Sequence, residues 1–261
     1  MTVAPLPSFG NPPIDEVSCS LQFGAALRLR LIDLASLAEQ FTDRYPTIED
    51  HPPLAPIPRG DVQFTFQVGT EFDLPRLLFI DPTSTHLVQL QRDRIGVNWR
   101  RAGTGAAYPR YDQSVRPALI EACERLRAGL ADLGLEFPEI EAIEVTYVNP
   151  IPVDETVDVS SILSCWSGSF GPELAQSPLG VGIQLSFEMA NLDGRLFVEV
   201  GTATRNDDGS SVLLVNLVVR ASVTGSLESA LVGVDAARVA IVNTFASLTT
   251  TQMHEKWERI T

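Results

Sequence analysis

Residues 86–100, His-Leu-Val-Gln-Leu-Gln-Arg-Asp-Arg-Ile-Gly-Val-Asn-Trp-Arg, decide how the first half of the chain folds. Two runs rich in apolar side chains flank the polar pair Arg92-Asp93, and this pattern predicts a β-hairpin. Similar runs predict further strands at residues 16–23, 61–68 and 76–80. Because the predicted strands lie close together in the sequence, we expect them to pair as an antiparallel meander.

Helical periodicity accompanies this meander on both sides. Apolar side chains recur at steps of three and four across residues 27–41, and this spacing predicts a helix. The Pro-rich stretch of residues 46–59 is expected to be a loop. A second helix is predicted at residues 113–134, with Gly134 at the place of a C-terminal glycine cap.

The second half of the chain follows the same order of predicted elements. A strand at residues 143–148 leads into an irregular, Ser-rich stretch at residues 154–178. Three strands joined by short turns are then predicted at residues 181–189, 196–204 and 212–223. One long helix, capped by Ser226, is predicted for residues 226–259.

These patterns predict an α+β protein, with antiparallel β-meanders packed on long helices. Each half is predicted to contain a strand, a connecting stretch, a meander and a helix, in that order. We therefore expect an internal duplication of one strand-meander-helix unit. The units would be residues 1–138 and 139–261, packed closely either as two halves or as one domain.

Charge limits the partners that the chain can be expected to have. The 261 residues contain 19 Lys and Arg against 33 Asp and Glu, a formal net charge of −14. Such a chain is repelled by nucleic acid and by anionic membranes, so neither is expected as a partner. The first residues resemble no secretory signal, and no apolar run has the length of a membrane helix, so a cytoplasmic location is expected.

Motifs of catalysis and of metal or cofactor binding are missing from the sequence. Cys19, Cys123 and Cys165 are far apart and are predicted to be structural thiols. His254-Glu255 starts like a zinc-protease motif, but the second histidine is absent. No nucleophile elbow and no phosphate-binding loop is found. We therefore expect no metal and no cofactor, and enzymatic activity is not favoured.

One segment, from Arg92 to Arg116, is rich in arginine and aromatic residues within this acidic chain. Such a composition is typical of stacking and phosphate-binding surfaces, and equally of protein–protein hot spots. It is also compatible with a purely structural role, in which Trp99 is buried and the arginines pair with the chain's own carboxylates. The candidate binding residues in this segment are Arg94, Asn98, Trp99, Arg100, Tyr108 and Tyr111.

Tyr147 and Asn149 are two further candidates. Tyr147 lies at the end of a predicted strand, and Asn149 precedes Pro150, a pair that often initiates a turn. If the two halves pack together, this strand would lie close to the strand of Trp99. Polar groups from both halves would then share one cleft.

Several short motifs occur in this chain in the same order as in a known protein family. They are Pro12-Pro13-Ile14, Leu21-Gln22-Phe23, Tyr45-Pro46, residues 76–80, Gln89-Leu90-Gln91, Asn98-Trp99-Arg100, Tyr108-Pro109-Arg110-Tyr111 and Thr146-Tyr147-Val148-Asn149. The chain resembles a sporadically distributed bacterial family of conserved hypothetical proteins of about this length. The resemblance covers residues 11–150 well and the remainder loosely. It implies a shared fold and a bacterial, cytoplasmic setting, but no reaction.

The sequence thus favours a non-enzymatic accessory protein that recognises a protein partner through the exposed segment around Trp99. The sporadic distribution of the resembling family suggests a bacterial defence or toxin-control module. Self-association as a homodimer is a further expectation, because meanders leave edge strands open. The alternative is a small-molecule-binding or enzymatic protein of the helix-grip kind, which requires an internal pocket of several hundred Å³.

Overall fold

The computed structural model of the chain contains one antiparallel sheet. Along each strand, side chains point alternately to the two faces of this sheet. The described residues are 5–57, 74–153, 158–166, 178, 180–205 and 208–261. Nine strands pair in the order β2-β3-β4-β5-β1-β6-β9-β8-β7. The α+β character expected from the sequence is confirmed.

The described part of the first half contains five strands and two α-helices. Their bounds are β1 Glu16–Phe23, α1 Leu31–Glu39, β2 Thr47–His51, β3 Arg76–Ile80, β4 His86–Gln91, β5 Arg94–Arg100 and α2 Val115–Asp132, with a 3-10 turn at Tyr111–Gln113 before α2. The predicted strands β1, β3, β4 and β5 are confirmed. The predicted strand at residues 61–68 lies outside the described residues.

The residues that the structure describes in the second half form four strands and three helices. Their bounds are β6 Ile140–Pro152, α3 Val159–Ile162, β7 Gly182–Glu188, β8 Gly194–Thr204, β9 Ser211–Gly225, α4 Leu227–Leu248 and α5 Thr251–Lys256. The predicted strands β7, β8 and β9 are confirmed. Most of the stretch predicted to be irregular lies outside the described residues, and its described part contains the short helix α3.

The two halves meet at the centre of the sheet, where β1 and β6 pair antiparallel. In the first half, the opening strand β1 also pairs with the last meander strand, β5, and α2 packs on these two strands. In the second half, β6 likewise pairs with β9, and α4 packs on these two strands. One continuous hydrophobic core spans both halves.

Two loops expected from the sequence are strands instead. Residues 47–51 form β2, an edge strand on β3 whose side chains are mostly exposed, so no apolar alternation reveals it. The expected turn at Asn149-Pro150 lies inside β6, which is longer than predicted. Pro150 is tolerated because it lies beyond the end of β1, where the described partner of β6 is β9 alone.

The long C-terminal helix expected from the sequence is two helices. Ser226 caps α4 as predicted, since its side chain accepts a hydrogen bond from the backbone N–H of Ser229 at 3.3 Å. The helix ends at Leu248 because Thr249 is extended and forms a bridge with Leu163. Thr250 then caps α5 by accepting a hydrogen bond from the N–H of Met253.

One described helix, α4, has the length and composition that a membrane span would require, with a mean hydropathy of 1.4 over its best window. Only 28% of that window is buried. A single such helix is weak evidence, because helices that pack on the core of a soluble protein share these properties. The cytoplasmic location therefore stays an expectation.

A candidate ligand cleft between the two halves

Two of the predicted aromatic residues share one face of the sheet, on strands that flank β1. Trp99 on β5 and Tyr147 on β6 are both cross-strand neighbours of Val17. Tyr108, from the loop before α2, contacts both rings, with centroid distances of 5.1 Å to Trp99 and 6.5 Å to Tyr147. The hydroxyl oxygens of Tyr108 and Tyr147 are 3.4 Å apart. The structure thus brings residues of both halves into one cluster.

The expectation of an exposed aromatic strip is wrong for two of its residues. Trp99 and Tyr111 are each only 1% exposed, since both lie beneath the helices in the hydrophobic core. Side chains alternate between the two faces of a strand, and this alternation explains why Trp99 is buried. It lies with Ile95 and Val97 on the face of β5 that the helices cover. These two rings are therefore unavailable to a macromolecular partner.

The remaining candidates on β5 point to the opposite face of the sheet. Arg94 is buried and donates to the backbone oxygen of Ala55 at 2.8 Å. Asn98 is also buried; it accepts a hydrogen bond from Gln89 at 2.6 Å and donates one to Glu16. Both side chains are thus occupied in holding the fold.

Arg100, the last candidate on β5, lies near the end of the hairpin. Its Nε donates a hydrogen bond to the backbone oxygen of Ser84 at 3.0 Å. It therefore contacts the loop between β3 and β4, and it takes no part in the aromatic cluster.

A cleft of about 370 Å³ opens beside the aromatic cluster. Its walls come from the segment before α2, from β6, from α4 and from residues 6–14, which we call the N-terminal strap. Four of the predicted residues line it, namely Tyr108, Tyr111, Tyr147 and Asn149. The size falls in the range of clefts that hold small molecules.

The N-terminal strap is held in place by the C-terminal end of the chain. The N–H of Gly10 donates to the oxygen of Glu258 at 2.9 Å, and the N–H of Ile260 donates to the oxygen of Ser8 at 2.8 Å. The ring of Phe9 lies against Trp257 and Phe245, with centroids 6.0 and 6.2 Å apart. The strap therefore forms a fixed apolar wall of the cleft.

Arg238 of α4 is the charged residue that the sequence did not single out. Its guanidinium lies over the ring of Tyr111, 5.0 Å from the centroid, and 3.4 Å from the carboxylate of Asp112. Its Nε is buried and has no hydrogen-bond partner among the residues that the structure describes. The side chain as a whole is 22% exposed and lines the cleft, so part of it can be reached from there.

The tyrosine hydroxyls of the cleft are uncharged donors. Burial is the main cause that raises the pKa of Tyr108, Tyr111 and Tyr147 above the ordinary value of 10.0. Tyr111 donates to Asp235 at 2.6 Å, and Arg116 donates to the same carboxylate at 3.0 Å. The hydroxyls of Tyr108 and Tyr147 have each other as partners at 3.4 Å, a long contact that a ligand acceptor can replace.

Arg110, one of the described non-glycine residues with a positive φ, lines the cleft. Arg110 has φ of 70° and ψ of 145°, a combination that a side chain with a Cβ atom rarely adopts. Its guanidinium donates to the hydroxyl of Ser8 in the N-terminal strap at 2.9 Å. The strained residue thus joins the strap to the segment before α2.

The lining offers recognition groups but no obvious general base. No His, Cys or Lys is found among the described lining residues, and Asp112 is 65% exposed. The lining combines polar groups, on Arg238, Tyr108 and Tyr147, with apolar side chains, those of Phe9 and Phe245. Such an arrangement can bind an amphiphilic molecule whose polar group accepts hydrogen bonds.

His86 has partners that no sequence neighbour revealed. Its Nε2 lies 2.7 Å from the hydroxyl of Ser114 at the start of α2, and its Nδ1 lies 3.9 Å from Asp81. The second distance is too long for a hydrogen bond, and Ser114 is only 8% exposed. We interpret the contact as a structural link between β4 and α2.

Two of the three cysteines are buried, as expected for structural thiols. Cys19 and Cys123 are buried and Cys165 is exposed. Burial raises the pKa of the Cys123 thiol to about 12 and raises that of Cys19 as well, so neither is a reactive thiolate. Among the described residues, no three or more His, Cys, Asp or Glu side chains form a metal-binding group.

Comparisons with known proteins give no family for the chain. No family model matches it, and no curated protein matches it. The function therefore has to be argued from the cleft itself.

Proposed function

We propose that the protein binds a small organic anion, such as a carboxylate with an apolar body, in the cleft between its two halves. The observation that carries this proposal is the side chain of Arg238, which is 22% exposed and lines the 370 Å³ cleft together with Tyr108 and Tyr147. Its described carboxylate partner, Asp112, is 65% exposed, and an ion pair so close to solvent contributes little, so a ligand carboxylate can compete for the guanidinium.

Charge and polarity at the cleft agree with an anionic ligand. Two arginines, Arg110 and Arg238, line it against the single carboxylate of Asp112. The uncharged hydroxyls of Tyr108 and Tyr147 add hydrogen-bond donors beside Arg238. A guanidinium and two phenols can satisfy a carboxylate, while Phe9 and Phe245 accept its hydrocarbon part.

Ligand-induced stabilisation tests this function. The full chain is titrated with hexanoate, octanoate and phenylacetate, and with hexanol as an uncharged match for hexanoate. We expect at least one carboxylate to raise Tm in proportion to its binding, and hexanol to do so far less. If no carboxylate in the panel shifts Tm, the proposal is wrong.

Matched variants locate the binding. Arg238→Gln removes the charge in the cleft, and we expect it to weaken carboxylate binding at least tenfold. Arg116→Gln is the control, because Arg116 is on the neighbouring helix and pairs with Asp235 but does not line the cleft. Equal weakening by both variants would contradict the assignment of Arg238.

Recognition of a protein partner in a defence or toxin-control module stays a separate prediction. The burial of Trp99 and Tyr111 removes two of its intended contacts. The exposed loop of residues 102–105 beside them could still serve as a contact. The cleft is the feature with more support, and it agrees with the alternative of a small-molecule binder.

We also infer that the chain arose by internal duplication of one unit. Supporting this inference, the opening strand of each half pairs with the last meander strand of the same half. The helix that follows each meander packs on those two strands. In this interpretation the ligand cleft lies where the two units meet, next to the β1–β6 pair.

A further inference from the structure

The two edges of the sheet differ in how they are protected from pairing. β2 carries Glu49, Asp50 and His51, and charged side chains are a common protection of edge strands. β7, with the sequence Gly-Ile-Gln-Leu-Ser-Phe-Glu, has a single charge at its last residue. Among the described residues its one partner is β8, and β7 is the last strand of the sheet on this side.

Apolar side chains of β7 are exposed on the face that carries the helices. Leu185 is 38% exposed and Phe187 is 50% exposed. Their cross-strand neighbours on β8, Val198 and Leu196, are buried. An open, apolar edge strand of this kind predicts association with another strand.

The apolar surface continues from β7 onto α4. A groove of about 660 Å³ separates Phe187 from the outer side of α4, where Ala236, Val239 and Ala240 line it. Val239 is 38% exposed, and Val232, which lies two turns earlier on α4, is 64% exposed. No charged residue of α4 lines the groove, since Asp235 and Arg238 face the ligand cleft.

The sequence of β7 is suited to pairing with itself. An antiparallel pair centred on Leu185 places this residue opposite its own copy and Ile183 opposite Phe187 of the second copy. All of these apolar side chains then lie on the helix-bearing face. Gln184 meets Ser186 of the second copy on the other face, so polar groups also face polar groups.

Charge favours this arrangement for two copies of an acidic chain. In the centred pairing each Glu188 lies opposite Gly182, and the two Glu188 residues are six positions, about 20 Å, apart along the ladder. That distance exceeds the Debye length of about 8 Å at physiological salt, so their repulsion is screened. The α4 side of the groove carries no charged lining residue, so it adds no further repulsion.

We propose that the protein is a homodimer formed by antiparallel pairing of two β7 strands about a two-fold axis, which joins the two sheets into one. A seven-residue strand pair alone buries less than the 1,200–2,000 Å² typical of specific interfaces. The grooves beside the two α4 helices contribute the remaining apolar surface. The dimer is independent of the ligand cleft, because β7 and the cleft share no residue.

Light scattering coupled to size-exclusion chromatography tests the proposal on the full chain. We expect wild type to elute with twice the 28.4 kDa mass of the chain. Leu185→Lys places two positive charges opposite each other at the axis, so it should yield the monomer mass. Ile48→Lys on β2 is the matched control, because Ile48 is 41% exposed on the other edge, and it should remain dimeric.

A crosslinking experiment keeps the test decisive if a lysine variant fails to fold. Leu185→Cys and Ile48→Cys are each made in a Cys165→Ser background, since Cys165 is the exposed native thiol. Mild oxidation should convert only the Leu185→Cys protein to a covalent dimer. A monomeric wild type, or equal crosslinking of the two variants, would overturn the proposal, as would a dimer that persists in a folded Leu185→Lys protein.

Discussion

His86 illustrates how a single buried side chain can make stability depend on pH. Burial is the main cause that lowers its pKa below the ordinary value of 6.5, and the nearby charge of Arg44 lowers it further, against the opposing effect of Asp81. When pH falls through 6.5, the unfolded chain binds a proton that the folded His86 does not. Stability is therefore complete above that pH and is lost as the pH falls toward the folded pKa.

We expect the free energy of unfolding to decrease between pH 7 and pH 5. Urea denaturation at a series of pH values measures this slope, and His86→Gln should make it smaller. His254, whose pKa is also lowered mainly by burial, accounts for part of the slope that remains. His51→Gln on the edge strand β2 is the control, and a change in slope as large as that of His86→Gln would refute the assignment.

Arg238 shows where residue-level prediction reaches its limit. The pattern around Tyr108 and Tyr147 singled out aromatic and polar side chains that the structure places in one cleft. Arg238 follows about 90 residues later on α4, and nothing in its own neighbourhood distinguishes it from a solvent-exposed helix residue. Its position beside Tyr111 depends on how α4 packs across the sheet, which no local pattern encodes.

At the scale of elements, strands with an alternating pattern were predictable and edge or extended strands were not. β1, β4 and β5 bury one face in the core, so their sequences alternate and could be recognised. β2 buries almost nothing, and the end of β6 contains Pro150, so both resemble loops in sequence. Their strand structure comes from pairing with β3 and β9, a tertiary effect.

The end of α2 was predictable because its signal is local. Gly134 has φ of 71°, the left-handed conformation that favours glycine. Its N–H donates to Ala131, and the N–H of Leu135 donates to Leu130. This is the Schellman arrangement, and it requires only residues next to the helix end.

The break between α4 and α5 gives a prediction at this scale. Thr250 caps α5 and also donates its hydroxyl to the oxygen of Ser161 next to α3. Thr250→Ala removes both contacts, and we expect it to lower the free energy of unfolding by about 1–2 kcal/mol. Chemical denaturation of Thr251→Ala, at the exposed neighbouring position, should show a change within about 0.5 kcal/mol. Equal effects of the two substitutions would show that the cap does not stabilise the break.

At the scale of the whole molecule, the N- and C-terminal segments lie side by side. The hydroxyl of Thr261 donates to the backbone oxygen of Leu6 at 2.7 Å, and the N–H of Ser8 donates to the oxygen of Thr261. The two halves, in contrast, are connected between α2 and β6 by residues 133–139. The chain can therefore be joined between residues 261 and 1 and opened between its halves with little change in geometry.

A circular permutant tests whether each half is one intact unit. The permuted chain begins at residue 139, continues through a short Gly-Ser linker from residue 261 to residue 1, and ends at residue 138. If the chain is built from two duplicated units, each unit stays whole and the permutant should fold, with a circular dichroism spectrum like that of wild type. It should also bind any carboxylate that the wild-type cleft binds, because the residues of both units still meet beside β1 and β6.

The matched control opens the chain between β8 and β9 at Asp208-Gly209, which divides the second unit within its meander, and we expect that protein to unfold at a clearly lower Tm. Equal stability of the two permutants would argue against two separate units, because a division inside the meander would then be as harmless as one between the halves.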